Sequence, residues 1–501
     1  MAGLNSLRRR ALFLSCSSVL ALAACAAGRD LAPLAVMPDL EHLDAGQVIQ
    51  TTAQHSDASH ALQWWTLYRD PQLDDLIAAS VDEAPSIAAA AARIRRAEAA
   101  LGTVEADAWP SVTGSGQLTR ERFPDHYTYP APYADSWGNE GVLTADLRYR
   151  LDFWGKQREA EAAAEERLAV AKAEAADAAL VLQTAIVEAY VQLDAAYRTR
   201  DIAASGLSRR QGVIDLLVLR TKAGLATAID AVQAQEAITE TRSEIARLDG
   251  EIARRRYQIA ALLGRDPAFA ERLVRPTLIT IANPAPLSAI PTTLLGYRPD
   301  VTMRRAMVEA AAHDIGVARA AFYPELDLTA FVGLKSFGFD RLLRLSSSAV
   351  GGGPAITLPI FDGGRLRGNL KGRTAEYDAA VSAYNAAIAT ALQQVADGIA
   401  SLKSEFARRA EAEAALAHWI SVVDLQKIRE RHGLSSASDR LASETALLLS
   451  ERRAAEACAR IAIAQVTLIR ALGGAWAPSS PIPTAAGAEL SVDPRKMETK
   501  P

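Results

Sequence analysis

Histidine and cysteine, the side chains that most often carry catalysis or bind metals, are few and scattered in this sequence. The seven histidines form no His-Glu-x-x-His arrangement, and the chain contains no phosphate-binding loop and no Gly-x-Ser-x-Gly sequence. The run Gly351–Gly353 resembles a phosphate cradle, but a predicted strand follows it where such a cradle needs a helix. We therefore expect that the protein is not an enzyme and has no catalytic residue and no metal site.

Covalent chemistry is predicted at one cysteine, Cys25. Three arginines precede a short apolar stretch, so residues 1–24 are typical of a secretory signal peptide. The sequence Leu-Ala-Ala-Cys at 22–25 is typical of a bacterial lipobox, in which the cysteine is acylated, with palmitate among its chains, and becomes the N-terminus. Acyl chains contribute ~0.8 kcal/mol per buried CH2, enough to hold the protein on a membrane. The alternative is an ordinary signal peptide cleaved nearby, with Cys25 incidental.

The composition narrows the class of protein. Lys and Arg number 55 against 59 Asp and Glu, which excludes a nucleic-acid binder built on positive charge. Hydrophobic residues make up 50% of the chain and aromatic residues only 6%, and this alanine-rich balance favours long, closely packed helices. After residue 24 no run of 18 apolar residues occurs, so any membrane crossing must use strands. Cys458 has no cysteine partner in the mature chain and is expected to be a small core residue.

An internal repeat covers most of the chain. Residues 85–110 recur at 299–324 with an offset of 214, and downstream the offset is 209, as in the pair Gly155/Gly364. The sequence accordingly divides into a signal peptide 1–24, a lipid-anchored tether 25–59, a first repeat 60–264, a linker 265–298, a second repeat 299–473 and a C-terminal tail 474–501.

Each repeat is predicted to hold two long helices. Residues 156–221 contain no proline, and isoleucines recur every seven residues from Ile238 to Ile259, which is typical of a coiled-coil seam. The predicted helices are 156–221, 226–263, 365–430 and 436–472. A closed cylinder of helices and a free-standing antiparallel coiled coil both fit this pattern.

Four strands with one apolar and one polar face are predicted as well, at about 111–121, 142–152, 325–336 and 353–361. Strands of this length and alternation are typical of a membrane β-barrel with a wet interior. Four strands cannot close on themselves in lipid, because unpaired edges would leave backbone groups without partners. The predicted fold is therefore mainly α with a membrane β-barrel shared between copies, with 8 strands from two chains or 12 from three.

These motifs together resemble one known family. The lipobox, the paired strands, Gly364-Arg-Leu-Arg after the last strand and the two Arg-x-x-x-Gly-Leu turns are similar to those of the TolC-type outer-membrane efflux factors. The NodT- and OprM-like lipoprotein channels are the subgroup that the chain resembles most. The resemblance implies a homotrimer with a 12-stranded barrel in outer-membrane lipid and a helical tunnel across the periplasm. The partners that it implies are a periplasmic adaptor and an inner-membrane transporter.

The resemblance also implies that the turns at residues 222–228 and 431–437 form the periplasmic tip. The gate candidates there are Arg220, Lys222, Asp230, Arg429, Arg431 and Asp439, and the adaptor-contact candidates are Gly224, Leu225, Gly433 and Leu434. These charges either complement the helix dipoles, at ~0.3 to 1 kcal/mol each, or link neighbouring helices and hold the aperture shut; the two roles are compatible. Ser435 and Ser436 stand where family members often carry a carboxylate, which argues against an acidic constriction ring here.

The function implied is a passive exit duct for drugs or other small toxic compounds, and hence a contribution to antibiotic resistance. A duct for type I protein secretion is the alternative within the same class. A lipid-anchored coiled-coil spacer is the alternative from a different class, and it leaves the predicted strands without a purpose.

Overall fold

The computed structural model describes residues 32–38, 63–126, 133–225, 227–278 and 298–474. The chain divides into two compact units, which we call the strand unit and the hairpin unit. The strand unit comprises Met1–Met37, Ile94–Ala171 and Met303–Asn385, and the hairpin unit comprises Pro38–Arg93, Lys172–Thr302 and Ala386–Pro501. The predicted signal peptide, Cys25 and the tail after residue 474 lie outside the described residues.

The described residues form eight α-helices, namely α1 (Pro71–Glu83), α2 (Pro85–Ala106), α3 (Lys156–Lys222), α4 (Ala228–Leu262), α5 (Pro267–Arg272), α6 (Pro299–Ala320), α7 (Arg365–Arg431) and α8 (Ala437–Ala471). Helices of the two repeats have equal lengths: 22 residues for α2 and α6, 67 for α3 and α7, and 35 for α4 and α8. No described helix is both long and apolar enough to cross a membrane.

The long helices run without interruption because nothing in their sequences breaks them. Neither α3 nor α7 contains a proline, and the ends of all four long helices lie within two residues of the predicted bounds. One of the two interior glycines of α3, Gly206, has a packing role, since a Cβ there would lie 2.6 Å from Cδ1 of Leu448. The side chain of Leu448 on α8 therefore packs against the backbone of α3 at Gly206 and would have to shift to admit a larger residue there.

Four antiparallel strands form one sheet in the order β1 (Ser111–Arg122), β2 (Trp137–Leu151), β3 (Glu325–Phe337) and β4 (Ser348–Thr357). The register pairs Ser111 with Arg148, Leu151 with Leu326 and Glu325 with Thr357. Each repeat thus contributes one β-hairpin to the strand unit, and the β2–β3 pairing joins the two β-hairpins.

The two faces of the sheet differ as the alternation predicts. On the apolar face the side chains are exposed, with Val112 at 67%, Leu118 at 63% and Val332 at 61% of their full accessibility. On the polar face Nη2 of Arg148 lies 2.5 Å from Oδ2 of Asp327, whose side chain is only 8% exposed. The polar face therefore pairs opposite charges within the sheet, while most of the apolar face is exposed in the described chain.

Two strand bounds differ from the prediction. Strand β2 begins at Trp137 instead of residue 142, and β4 spans Ser348–Thr357 instead of 353–361. The three glycines 351–353 belong to β4, where the bare face of Gly351 receives the ring of Phe331; a Cβ would lie 2.7 Å from its Cε1. Strand β4 ends at Thr357 because its partner β3 begins at Glu325, directly after a proline.

The core of the hairpin unit lies around the middle of α3. Side chains with no exposed area there include Leu73, Ile186, Tyr190, Leu193 and Ile259. The carboxylate of Asp70 begins α1 by accepting a hydrogen bond from the backbone of Gln72, and its other oxygen accepts the Tyr190 hydroxyl at 2.9 Å. The first short helix is thus tied to the first long one.

Candidate gate and docking turns

The turns after α3 and α7 share one backbone design. Gly224 and Gly433 adopt positive φ values of 73° and 71°, which favour glycine. The residue after each glycine hydrogen-bonds back to the last turn of the preceding helix. The N–H of Leu225 donates to the carbonyl of Arg220 at 2.7 Å, and the N–H of Leu434 donates to the carbonyl of Arg429 at 2.9 Å. This closure is typical of a Schellman motif and leaves the two leucine side chains 78% and 67% exposed.

The two predicted gate acids begin the following helices. Thr227 and Asp230 form a capping box at the start of α4, and Ser436 and Asp439 form the same box at the start of α8. The hydrogen bond from the Thr227 side chain lowers the pKa of Asp230, and the hydrogen bond from the Ser436 backbone lowers the pKa of Asp439. Both acids thus have local roles at helix starts, which agrees with the dipole interpretation.

The four predicted gate bases have different surroundings. Arg220 lies 3.2 Å from Oε1 of Glu430, which joins the end of α3 to the end of α7. Nη2 of Arg429 donates to the carbonyl of Leu434 at 3.2 Å within its own turn. Within the described chain, Lys222 and Arg431 form no ion pair. The structure therefore gives only Arg220 a contact of the kind that the gate interpretation requires.

A ladder of ion pairs continues from Glu430 along the hairpin unit. It consists of Arg220, Glu430, Arg440, Glu444, Arg209 and Glu451, and only Arg220 of these is a predicted site residue. Arg440 lies 3.2 Å from Glu430 and 3.7 Å from Glu444, and Arg209 lies 3.4 Å from Glu444 and 2.7 Å from Glu451. The side chains of Glu430 and Glu444 are 5% and 3% exposed. The ladder connects α3, α7 and α8 through two buried carboxylates.

A signal for this ladder does exist in the sequence. At the offset of 209, the three charged residues Glu430, Arg440 and Glu444 correspond to the neutral residues Thr221, Ala231 and Gln235 of the first repeat. The two repeats agree at the predicted gate residues, whereas Glu430, Arg440 and Glu444 lie where the repeats differ.

One further arginine secures the same helices. Arg210 is buried, and its guanidinium donates to the carbonyl of Ala237 at 3.1 Å, to Thr445 Oγ1 at 2.8 Å and to the Thr241 hydroxyl. Burial lowers the pKa of Arg210, and the nearby carboxylates, including that of Glu444, oppose this shift. Arg210 therefore fixes α4 and α8 against α3 beside the ladder.

Comparison with known proteins assigns the chain to a family. The model of the outer membrane efflux protein family matches residues 76–265 and 290–474, which is most of the chain. The chain belongs to the outer membrane efflux protein family. The two matched segments correspond to the two repeats, and both long-helix turns lie inside them.

Several relatives are similar over most of their length. The chain is 37% identical over 358 residues to the fusaric acid resistance protein FusA of Burkholderia cepacia, covering 70% of this chain and 67% of FusA. It is 30% identical over 433 residues to the multidrug resistance outer membrane protein MdtP of Escherichia coli, covering 83% of this chain and 86% of MdtP.

The fold is that of solved channels in this family. The crystal structure of the outer membrane protein VceC from Vibrio cholerae matches with a TM-score of 0.77 at 32% identity, covering 82% of this chain and 98% of VceC. The predicted architecture, long helices continuous with strands in two repeats, is therefore confirmed.

Among the described residues, no three His, Cys, Asp or Glu side chains are placed to hold a metal ion. Cys458 is a free, half-buried cysteine on α8. The candidate site consists of ion pairs and helix-capping hydrogen bonds.

Proposed function

We propose that the protein is the outer-membrane exit duct of a tripartite efflux system. In this proposal it passively conducts drugs or other small toxic compounds, which an inner-membrane transporter and a periplasmic adaptor deliver. The observation that carries the proposal is a sheet with an exposed apolar face and a hydrogen-bonded polar face, in a chain of the outer membrane efflux protein family. The names of FusA and MdtP, which refer to resistance, support small molecules rather than proteins as cargo.

The polar face of the sheet suits a water-filled interior. The hydroxyls of Ser115 and Thr144 lie 2.8 Å apart, and the Thr144 hydroxyl donates to Asp146 at 2.8 Å. The Arg148 side chain remains 59% exposed although it is paired with Asp327. A water-lined passage needs such partly hydrated groups, whereas a coiled-coil spacer offers no reason for them.

We propose further that three copies assemble into the duct and share a 12-stranded barrel. The uncovered apolar face then contacts lipid, and the two edges of the sheet find partners in neighbouring copies. Lipid on Cys25 would anchor each copy to the outer membrane; no other cofactor is needed.

The ladder supports a gate at the periplasmic tip. Oε1 of Glu430 has no hydrogen-bond donor among the described residues, so Arg220 holds it through charge alone. Arg440, by contrast, donates a hydrogen bond to the other oxygen of Glu430 at 3.2 Å. In the proposed opening, the Arg220–Glu430 contact breaks first and separates the ends of α3 and α7.

A deletion strain tests the duct. We expect it to accumulate a fluorescent efflux dye and to become sensitive to several unrelated antibiotics, and a plasmid copy of the gene to restore both properties. The native mass of the protein, extracted from the outer membrane in mild detergent, should be that of a trimer carrying acyl chains. A monomer, or a deletion strain with unchanged dye content, would contradict the proposal.

A further inference from the structure

The loop between β3 and β4 is held by hydrogen bonds at the end of the sheet opposite the helices. We call residues 338–347 the outer loop. The N–H of Gly338 donates to the carbonyl of Asn139 at 2.8 Å, and the Ser347 hydroxyl donates to the carbonyl of Arg341 at 2.8 Å. Two short 3-10 turns lie between these bonds. The outer loop is therefore a defined structural element of the strand unit.

The outer loop folds back over the apolar face of the sheet. Its Leu342 covers Gly141 of β2, since a Cβ built on Gly141 would lie 3.0 Å from Cδ2 of Leu342. The same Cβ would lie 3.3 Å from Cδ2 of Leu118, which belongs to the apolar face of β1 and pairs with Gly141. The Leu342 side chain therefore packs on the outer end of the face that the proposed function places against lipid.

The outer loop exposes both apolar and cationic side chains. Leu343 and Leu345 are 82% and 88% exposed, and Arg341 and Arg344 beside them in the chain are exposed as well. Arg344 forms no ion pair within the described chain, and Nε of Arg341 lies 3.7 Å from Asp340, too far for a hydrogen bond. Such a surface matches a partner that carries both acyl chains and anionic oxygens.

The length of β3 places the outer loop at the level of the lipid headgroups. The apolar positions of β3 run from Leu326 to Leu334, which is about 27 Å along a strand. A strand tilt of about 40° reduces the height to about 20 Å, close to the apolar band of about 25 Å in outer-membrane barrels. Trp137 lies at the same end of the sheet and is 68% exposed, and tryptophan is enriched at the headgroup level.

We propose that the outer loop binds a phosphorylated, multiply acylated glycolipid of the outer leaflet. Arg341 and Arg344 contact its phosphate groups, and Leu343 and Leu345 lie against its acyl chains. A guanidinium donates two parallel hydrogen bonds to a phosphate, which suits arginine to this role. The site rests on the proposed function, because it requires the sheet to lie in the outer membrane with the helices on the periplasmic side.

A third arginine on the apolar face supports an anionic ligand. The apolar-face positions of β1 alternate from Val112 to Leu118, and Arg120 is the next position in this series. Arg120 is exposed and forms no ion pair within the part of the chain that the structure describes. Its partner across the strands is the neutral Asn139, so no acid opposes it there. Three cations and two exposed leucines favour a lipid with more than one phosphate over a lipid with a single phosphate.

Native mass spectrometry of the full-length, lipid-anchored protein tests the site. The protein is extracted from the outer membrane in mild detergent, washed free of bound lipid and titrated with bisphosphorylated lipid A or with the same lipid after dephosphorylation. We expect the wild-type trimer to bind the phosphorylated form about tenfold more tightly, as charged hydrogen bonds to phosphate require. Arg341→Gln combined with Arg344→Gln should remove most of this preference, because the phosphates then lack charged donors.

The matched control is Arg365→Gln combined with Arg367→Gln, which removes two exposed arginines at the other end of the sheet. This control should keep the preference of the wild type. Leu343→Ser combined with Leu345→Ser should weaken the binding of both lipid forms, since the acyl chains lose apolar contacts. An unchanged trimer mass shows that each variant folds and assembles.

Three results would overturn the site and leave the duct standing. They are a wild-type trimer without preference for the phosphorylated form, an arginine double variant that keeps the preference, and phosphatidylglycerol that binds as tightly as lipid A. Loss of the trimer in the arginine double variant, with full lipid binding by the trimer that remains, would identify the outer loop as a contact between copies instead. A monomeric wild-type protein overturns both the site and the duct.

Discussion

At the scale of single residues, Glu430 is the most consequential side chain of the tip. It is buried between Arg220 and Arg440, each 3.2 Å away, and it connects three helices. Its position could not be predicted from the agreement between the repeats, because the first repeat has Thr221 there. The buried ladder depends on which helices meet, and the charges alone, without the fold, resemble an ordinary solvated helix face.

Replacing Glu430 with glutamine should loosen the tip. The change removes the charge that holds Arg220 and weakens the hydrogen bond that Arg440 donates, and a hydrogen bond to a charged group contributes about 1.5–3 kcal/mol. We expect a several-fold increase in sensitivity to a large antibiotic that the outer membrane normally excludes, measured as the inhibitory concentration, with the trimer intact. The matched control is Glu413→Gln, which removes an exposed partner of Arg409 on the same helix. Equal sensitivity of the two variants would contradict a gating role for Glu430.

Glu188 on α3 should make stability depend on pH. Burial raises the pKa of its carboxyl, and Arg470 opposes this rise. The folded state therefore favours the protonated form, so Glu188 destabilises the fold at neutral pH and this penalty disappears as pH falls toward the ordinary glutamate value of about 4.3. Glu188→Gln should raise the thermal unfolding temperature at pH 7.5, with a smaller difference at pH 5. A difference that grows on acidification would refute this, and Glu411→Gln at an exposed position is the control.

At the scale of elements, the sequence predicts helices better than strand ends. Helix ends follow from local signals, such as Gly224 after α3 and the capping residue Thr227 before α4. The end of β4 depends instead on where β3 begins, and the glycines 351–353 look like a loop until Phe331 is seen to cover Gly351. A strand is defined by its neighbour, and a single sequence does not contain the neighbour's register.

The two exposed turn leucines should matter for partner contact. Leu225 and Leu434 contribute nothing to the core, so Leu225→Ser with Leu434→Ser should leave folding and trimer formation unchanged. If these turns contact the adaptor, the double variant should lose most dye efflux. The measurement is dye accumulation at matched outer-membrane levels of protein. Ile229→Ser with Val232→Ser, two exposed apolar positions in the first turns of α4, is the control. Normal efflux in the leucine double variant would exclude the turns as docking sites.

At the scale of the whole molecule, we propose that acylated Cys25 anchors the protein to the outer membrane. We expect the N-terminal peptide of the mature wild-type protein to begin at Cys25 and to carry the added mass of its acyl chains. Cys25→Ser should abolish this mass, leaving any remaining outer-membrane attachment to the strands. Mass spectrometry of the extracted protein decides the matter, because an unmodified N-terminus at another residue would identify an ordinary cleaved signal peptide.

The equal lengths of the repeated helices limit how this protein can change in size. Helices α3 and α7 both have 67 residues, and α4 and α8 both have 35. Adding one heptad to a single helix would extend that helix by about 10 Å, and its length would no longer match that of its equivalent in the other repeat. A viable longer form therefore needs the same insertion in all four helices at once. The distance that the protein spans can therefore change only by such matched insertions, and point mutations leave it unchanged.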